Sequence, residues 1–228
     1  MPKNLNDICF LVQARMGSQR VPGKMLRTFS DTTLVDILFT KLLQSSIINK
    51  SNLYFSVHEE ELKLVGEKYD VNIFNRSVAS SKSEGQPLTE IYEWHDKLPF
   101  KYVILISACN PLLSIETIDA FVKSFIDSDK EGAFAVFEKK TYYWDEHGNA
   151  TTDWQGASIM NTKFVKPVYE AAHCLYASRL DIIKDGYWMD TNSPPCPELF
   201  VMKELEAFDI DYEWQFKLGE FLYKADIC

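Results

Sequence analysis

Apolar and polar positions alternate along this chain in blocks of two kinds. Short apolar runs recur at 8–12 (ICFLV), 52–57 (NLYFSV), 71–74 (VNIF), 102–106 (YVILI) and 133–137 (AFAVF). Each is too short for a stable helix and rich in β-branched or aromatic residues, which predicts buried strands. Longer segments with helical spacing separate them: Leu34, Ile37, Leu38, Leu42 and Leu43 mark one, and 59–69, 88–98 and 115–125 mark three more. Residues 75–87 read as a polar loop. Strands that alternate with helices imply right-handed crossovers and a sheet covered on both faces.

The predicted fold class is therefore α/β, a Rossmann-like, mainly parallel sheet flanked by helices. The pattern changes at TYYWDEHGNA (141–150), aromatic beside a turn-forming Gly-Asn, which predicts a small β-rich excursion over about 140–175. Its aromatic residues suit core packing, a subunit interface or an acceptor pocket, the first two being the commoner uses. An apolar strand resumes at 173–177, the NSPPCP run (192–197) reads as a stiff local loop, another strand follows at 198–202, and helical spacing returns through Leu218, Phe221 and Leu222. No repeat or low-complexity tract interrupts the chain, and 1–228 reads as a single domain.

Composition narrows the partners. With 228 residues, 46% hydrophobic and 25% charged, the chain can bury a sizeable core. Its net charge of −9 argues against broad affinity for nucleic acid or an anionic membrane, so a bound polyanion needs a local cationic cluster. No apolar stretch approaches the roughly 20 residues of a membrane span, and the first residues lack a signal-peptide core; the expected location is the cytoplasm. The five cysteines, Cys9, Cys109, Cys174, Cys196 and Cys228, form no C-x-x-C pair to suggest a zinc or redox centre, and three sit in apolar runs, which predicts reduced core thiols there.

The cationic cluster lies in QARMGSQRVPGKML (13–26), directly behind the first strand, with Arg15, Arg20 and Lys24. A strand running into a flexible basic loop presents cations and backbone N–H groups together to phosphate, although a solvated surface loop would have the same composition. In open α/β sheets ligands sit outside the carboxyl ends of the strands, so this loop and SACNPLL (107–113) are expected to face one cleft. Near the other end, Asp209 and Asp211 are two apart on an extended segment and point the same way. They suit Mg²⁺, which takes one or two carboxylates and completes its shell with water and phosphate; the alternative is that Asp211 caps the following helix while Asp209 is solvated.

The basic loop, read as A-R-x-x-S-x-R-x-P-x-K at Ala14, Arg15, Ser18, Arg20, Pro22, Gly23 and Lys24, resembles the signature of the cytidylyltransferases that make CMP-activated sugar acids, including acylneuraminate and 3-deoxy-octulosonate synthetases. The segment Asp209-Ile210-Asp211 resembles that family's metal-binding D-I-D element. Weaker likeness lies at Asn75-Arg76-Ser77 and at Asn110-Pro111-Leu112. The resemblance implies transfer of CMP from CTP to a small sugar acid with release of pyrophosphate, a Mg²⁺ cofactor and a homodimer. It implies catalytic roles for Arg15 and Lys24, nucleotide binding by Ala14, Arg15, Gly17, Ser18, Arg20, Lys24, Arg76 and Asn110, and metal binding by Asp209 and Asp211.

Departures cluster on the acceptor side. Ser107, Leu113, Glu170 and Ala172 stand where sialic-acid-type enzymes carry glutamine, arginine, arginine and asparagine, and His173-Cys174-Leu175-Tyr176 takes the place of G-A-I-Y. They keep open a different ulosonic acid or a small phosphorylated metabolite as acceptor, and, outside the enzymes, a degenerate nucleotide-binding regulator. His173 and His147 are the candidate proton acceptors, weighed against a core role for His173.

Overall fold

In the computed structural model of the chain, residues 2–82, 86–152, 161–183 and 197–225 are described. Strand β1 (Ile8–Gln13) leads through the basic loop to helix α1 (Leu34–Leu42), followed by β2 (Leu53–Val57), α2 (Glu60–Lys68) and β3 (Asn72–Asn75). Two short helices, α3 (Val78–Ser81) and α4 (Leu88–Ile91), precede β4 (Tyr102–Ile106), α5 (Ile115–Asp127) and β5 (Gly132–Lys139). The chain closes with β6 (Val168–Arg179), α6 (Leu180–Ile183), β7 (Glu198–Val201) and α7 (Glu213–Lys224). The NSPPCP loop, Trp154, Cys196 and Cys228 fall wholly or largely outside the described residues, and Cys9, Cys109 and Cys174 are free thiols.

Seven strands form one sheet in the order β3-β2-β1-β4-β6-β5-β7. The pairs β2–β3, β1–β2, β1–β4 and β5–β7 are parallel, whereas β6 runs antiparallel to both its neighbours. The reversal follows from the connection. After β5 the chain makes an excursion through residues 140–167 and returns beside the strand it left, pairing Lys139 with Val168, and a return without a crossover can only be antiparallel. Within the excursion, Trp144 and Ala150 form an isolated antiparallel bridge.

The core divides by sheet face. Phe10, Val12, Phe55, Ile104 and Ile106 pack beneath α1 and α5, while Cys9, Leu11, Val103, Leu105 and Trp94 form the opposite layer. Thr33 and Ser114 cap α1 and α5, accepting hydrogen bonds from the Asp36 and Thr117 amides. Two elements differ from the sequence expectation. The helix expected over 88–98 breaks at Tyr92 (φ −103°, ψ 41°), giving α4 and a 3₁₀ turn that carries the fully buried Trp94. The loop expected over 75–87 contains α3, nucleated by the Ser77 cap.

Candidate active site

Gln13 ends β1, but the ladder runs one residue further, Ala14 N–H donating to Ser56 O over 3.2 Å. The chain then leaves the sheet and is held by apolar contact. Val21 is fully buried in a small cluster with Phe29, Leu34, Ile37, Ile210 and Phe216. Gly23 turns the loop at φ +65°, a conformation with little penalty only for glycine, and its carbonyl accepts from the Leu26 and Arg27 amides. That turn directs Lys24 inward.

The same cluster positions the late carboxylates. Ile210 is buried in it and its N–H donates to Cys109 O over 3.0 Å, so Asp209 and Asp211 flank a residue locked between the basic loop and the end of β4. Lys24 is only 8% exposed, and its ammonium donates to Ile210 O at 2.5 Å and lies 3.5 Å from Asp211 Oδ1. Arg20 reaches the same Oδ1 at 2.8 Å and stacks its guanidinium 4.9 Å from the centre of the Tyr212 ring. The cap of α7 falls on Tyr212, and Gln215 Oε1 accepts from the Asp211 and Tyr212 amides. Asp211 therefore precedes the cap and turns its carboxylate toward two cations. Asp209 is half-buried, its Oδ1 without a hydrogen bond among the described residues. Burial and the neighbouring Asp211 charge push its carboxyl pKa up, and Lys24 and His173 oppose them.

A cleft of about 630 Å³ opens at this end of the sheet, lined by Gln13, Ala14, Arg15, Ser18, Gln19, Arg20, Lys24, Met25, Arg76, Ile91, Cys109 and Asp211. It brings together most of the residues singled out in the sequence. Gly17, Asn110 and Asp209 do not line it. Asn110 is buried, its Nδ2 donating to Ala207 O over 3.2 Å and its Oδ1 unpaired among the described residues. Arg15 spans the cleft mouth to Lys82 O at 2.6 Å.

Arg76 is built into the wall rather than extended into the space. It is 5% exposed; Nε donates to Ser80 Oγ at 3.0 Å, Nη1 to Ala14 O at 3.2 Å, and Nη2 to Ser80 O. Burial, with the like charge of Arg15, pushes its pKa down to about 10. Gln13, Ile91 and Cys109 line the cleft without having been assigned from sequence. Gln13 carried a signal, a polar residue closing an apolar run, and Cys109 lies in the 107–113 segment expected to face the cleft, whereas Ile91, at the end of α4, had no local signature.

On the acceptor side, Leu113 is 1% exposed and belongs to the core, and Ser107 Oγ accepts from the Cys109 amide at 3.1 Å. Glu170 is exposed on β6. His173 is exposed at φ +54°, where β6 bulges away from β5 between Phe134 and Val136, and its Nδ1 lies 2.9 Å from Tyr176 Oη. His147 is exposed at the excursion's turn, with its N–H on Asp145 Oδ1.

Comparison with known proteins shows the family. The cytidylyltransferase family model matches residues 9–185. The spore coat polysaccharide biosynthesis protein SpsF of Bacillus subtilis is 29% identical over 134 residues, 58% of this chain and 55% of SpsF, so the match spans about half of that relative. The post-translational flagellin modification protein B of Campylobacter coli is 23% identical over 96% of each chain. A pseudaminic acid cytidylyltransferase of Campylobacter jejuni is 22% identical, covering 97% of this chain and 98% of its own. Among solved structures, CMP:2-keto-3-deoxy-manno-octonic acid synthetase in complex with CTP superposes with a TM-score of 0.69 at 11% identity, over 96% of this chain and 99% of that one, a likeness of fold. The family match over most of the chain identifies it as a member of the cytidylyltransferases, the CTP-dependent nucleotidyltransferases.

Proposed function

We propose that the protein transfers CMP from CTP to a small sugar acid of the ulosonic or nonulosonic type and releases pyrophosphate. The observation that carries this reading is the contact of Lys24 and Arg20 with Asp211 inside the cleft, which sets phosphate-binding cations against a carboxylate able to hold a metal. An acceptor hydroxyl oxygen attacks the α-phosphorus, the bond to the β-phosphate oxygen breaks, pyrophosphate leaves, and the hydroxyl proton passes to solvent. Lys24 and Arg15 stabilise charge on the transferred phosphate oxygens, and Arg20, Ser18 and Ala14 hold the polyphosphate with side chains and backbone. Arg76 contributes by fixing the Ala14 carbonyl. Asn110 ties the loop after β4 to the chain leading into the D-I-D element.

The residues fit Mg²⁺. Asp209 offers a buried carboxylate oxygen without a hydrogen bond, beside Asp211, and no group of three or more His, Cys, Asp or Glu ligands exists among the described residues. Two carboxylates with phosphate oxygens completing the shell suit Mg²⁺ better than a metal that needs an all-protein cage. When bound, the ion neutralises charge on the triphosphate.

The whole-length likeness to pseudaminic acid cytidylyltransferase supports a sugar acid. The burial of Leu113 supports an altered acceptor, because an arginine fork for a carboxylate is absent at that position and replaced by core packing. The proposed location is the cytoplasm, where CTP is available; no helix among the described residues is long and apolar enough to cross a membrane. Pyrophosphate release from CTP across a panel of sugar acids and small phosphorylated metabolites tests the reading. Turnover with a sugar acid is expected, turnover only with a phosphorylated metabolite would reassign the acceptor, and no turnover with tight CTP binding would indicate a regulator.

A further inference from the structure

Gln13 has a side chain whose orientation is decided by its neighbour. Indole Nε1–H of Trp94 is a donor only, and it lies 2.6 Å from the Gln13 amide, so the atom it meets is the carbonyl oxygen Oε1. The amide nitrogen is thereby directed away from Trp94. Among the described residues Nε2 has no hydrogen-bond partner, and Gln13 lines the cleft. The result is a fixed group that presents two donors and no acceptor.

The cleft has two chemically different walls. Arg20, Lys24 and Asp211 form the charged one, where the triphosphate and metal belong. The other is a hydrogen-bonded unit in which Arg76 joins Ala14 to Ser80, Ser80 Oγ donates to Ile91 O at 2.9 Å, and Trp94, three residues on, holds Gln13. The Arg76 cation is consumed by backbone and hydroxyl acceptors and Arg15 is drawn to Lys82 O, so this wall offers apolar surface, a clamped guanidinium and the Gln13 amide. A nucleotide whose phosphates lie on the charged wall places its base against the other.

We propose that Gln13, oriented by Trp94, reads the pyrimidine base by donating from Nε2 to the acceptor edge of cytosine. Cytosine offers O2 and N3 side by side as acceptors; uracil replaces N3 with an N–H donor. A locked donor-only amide therefore accepts cytosine and meets uracil donor to donor, and rejection by an unpaired buried polar group is the strong form of such discrimination. Trp94 is a positioning residue: without its N–H the amide is free to turn and offer Oε1 to uracil. The inference rests on the CTP reading above.

Calorimetric titration with Mg·CTP and Mg·UTP tests it on the wild type, Gln13→Glu and Trp94→Phe, each first checked by thermal unfolding. A glutamate oxygen still accepts from Trp94 Nε1, so Gln13→Glu keeps the buried contact while exchanging a donor for an acceptor in the cleft. The wild type is expected to bind CTP at least about tenfold more tightly than UTP, and both variants to shrink that ratio about tenfold, whatever their common loss of affinity. Equal affinity of the wild type for the two nucleotides, or an unchanged ratio in a folded Gln13→Glu, would overturn the role of Gln13. A wild type that binds neither nucleotide would remove the CTP reading itself and this inference with it, whereas a CTP preference untouched by the substitutions removes the inference alone.

Discussion

At the scale of single residues, the site is governed by the contact of Lys24 with the Asp211 carboxylate and the Ile210 carbonyl of the D-I-D element. Asp211 is bonded to Arg20 and close to Lys24, so its charge is already balanced, while Asp209 has a buried oxygen with no hydrogen bond among the described residues. Replacing either aspartate by Asn preserves shape and removes one negative charge from a metal ligand set. Turnover measured by pyrophosphate release is expected to collapse in Asp209→Asn and Asp211→Asn with the fold intact, and to recover in part at high Mg²⁺. Lys24→Ala is expected to abolish turnover without magnesium rescue, because it removes a phosphate cation and leaves the carboxylates. Wild-type turnover in both Asn variants would rule out the two-carboxylate site. Arg76 calls for a different readout. A residue that only reads the nucleotide would lose CTP affinity on truncation and keep its stability. Arg76 instead holds Ala14 and Ser80 through three hydrogen bonds, so Arg76→Ala is expected to lower unfolding stability by about 2–4 kcal/mol even without ligand. Chemical denaturation would show it.

At the scale of elements, β1 through β5 could be read from the sequence because each is an apolar run bounded by polar turns, and the basic loop because its chemistry is contiguous. What stayed hidden depends on contacts distant in sequence. The antiparallel insertion of β6 between β4 and β5 has no local signature, since the part that pairs with β4 is largely buried and such an apolar run looks the same in either direction. Asp209 and Asp211 were legible as a pair, but whether Asp211 capped a helix was decided by Gln215, four residues on, taking the amides. Nothing in the order of residues shows that Glu206, in the 3₁₀ turn before the D-I-D segment, binds the start of α5. It is buried and accepts from Ser114 N at 3.0 Å and Ser114 Oγ at 2.7 Å, 92 residues earlier. Burial alone would push the Glu206 carboxyl pKa up; hydrogen bonds from Thr117 and Ser114 outweigh it, and the folded pKa lies below the ordinary 4.5. A carboxylate with a depressed folded pKa contributes stability that is complete above its unfolded pKa and is lost as pH falls through the folded one. Glu206→Gln is therefore expected to lower stability by about 1 kcal/mol at neutral pH, with the gap to wild type closing below about pH 4.5. A gap that is constant from pH 7 into acid would show that the carboxylate's charge is irrelevant to the α5 cap.

At the scale of the molecule, charge and apolar surface are distributed unevenly. A net charge of −9 surrounds a cleft lined by Arg15, Arg20, Lys24 and Arg76, which concentrates attraction for polyphosphate at one place. One group of exposed apolar side chains lies on the other half of the sheet and its excursion: Trp144 and Phe164 on the excursion, Val168 and Tyr169 at the start of β6, and Leu199 and Val201 on β7. Among the described residues strand β7 pairs only with β5 and so lies at an edge of the sheet, where Leu199 and Val201, two apart and on one face, are 47% and 51% exposed. An apolar edge strand left open invites pairing, and soluble chains usually blunt such edges with charge or cover them. The excursion and this edge are therefore proposed to be covered by a second copy of the chain in a two-fold homodimer, whose interface is self-complementary. Light scattering at micromolar concentration is expected to return twice 26.3 kDa. Leu199→Lys combined with Val201→Lys places two charges on the proposed interface and is expected to halve that mass while thermal unfolding stays cooperative. A wild-type mass of 26.3 kDa would show that the apolar edge is tolerated in a monomer, and a dimer indifferent to both lysines would move the interface elsewhere, with the α7 face bearing Trp214, Leu218 and Phe221 as the next surface to charge.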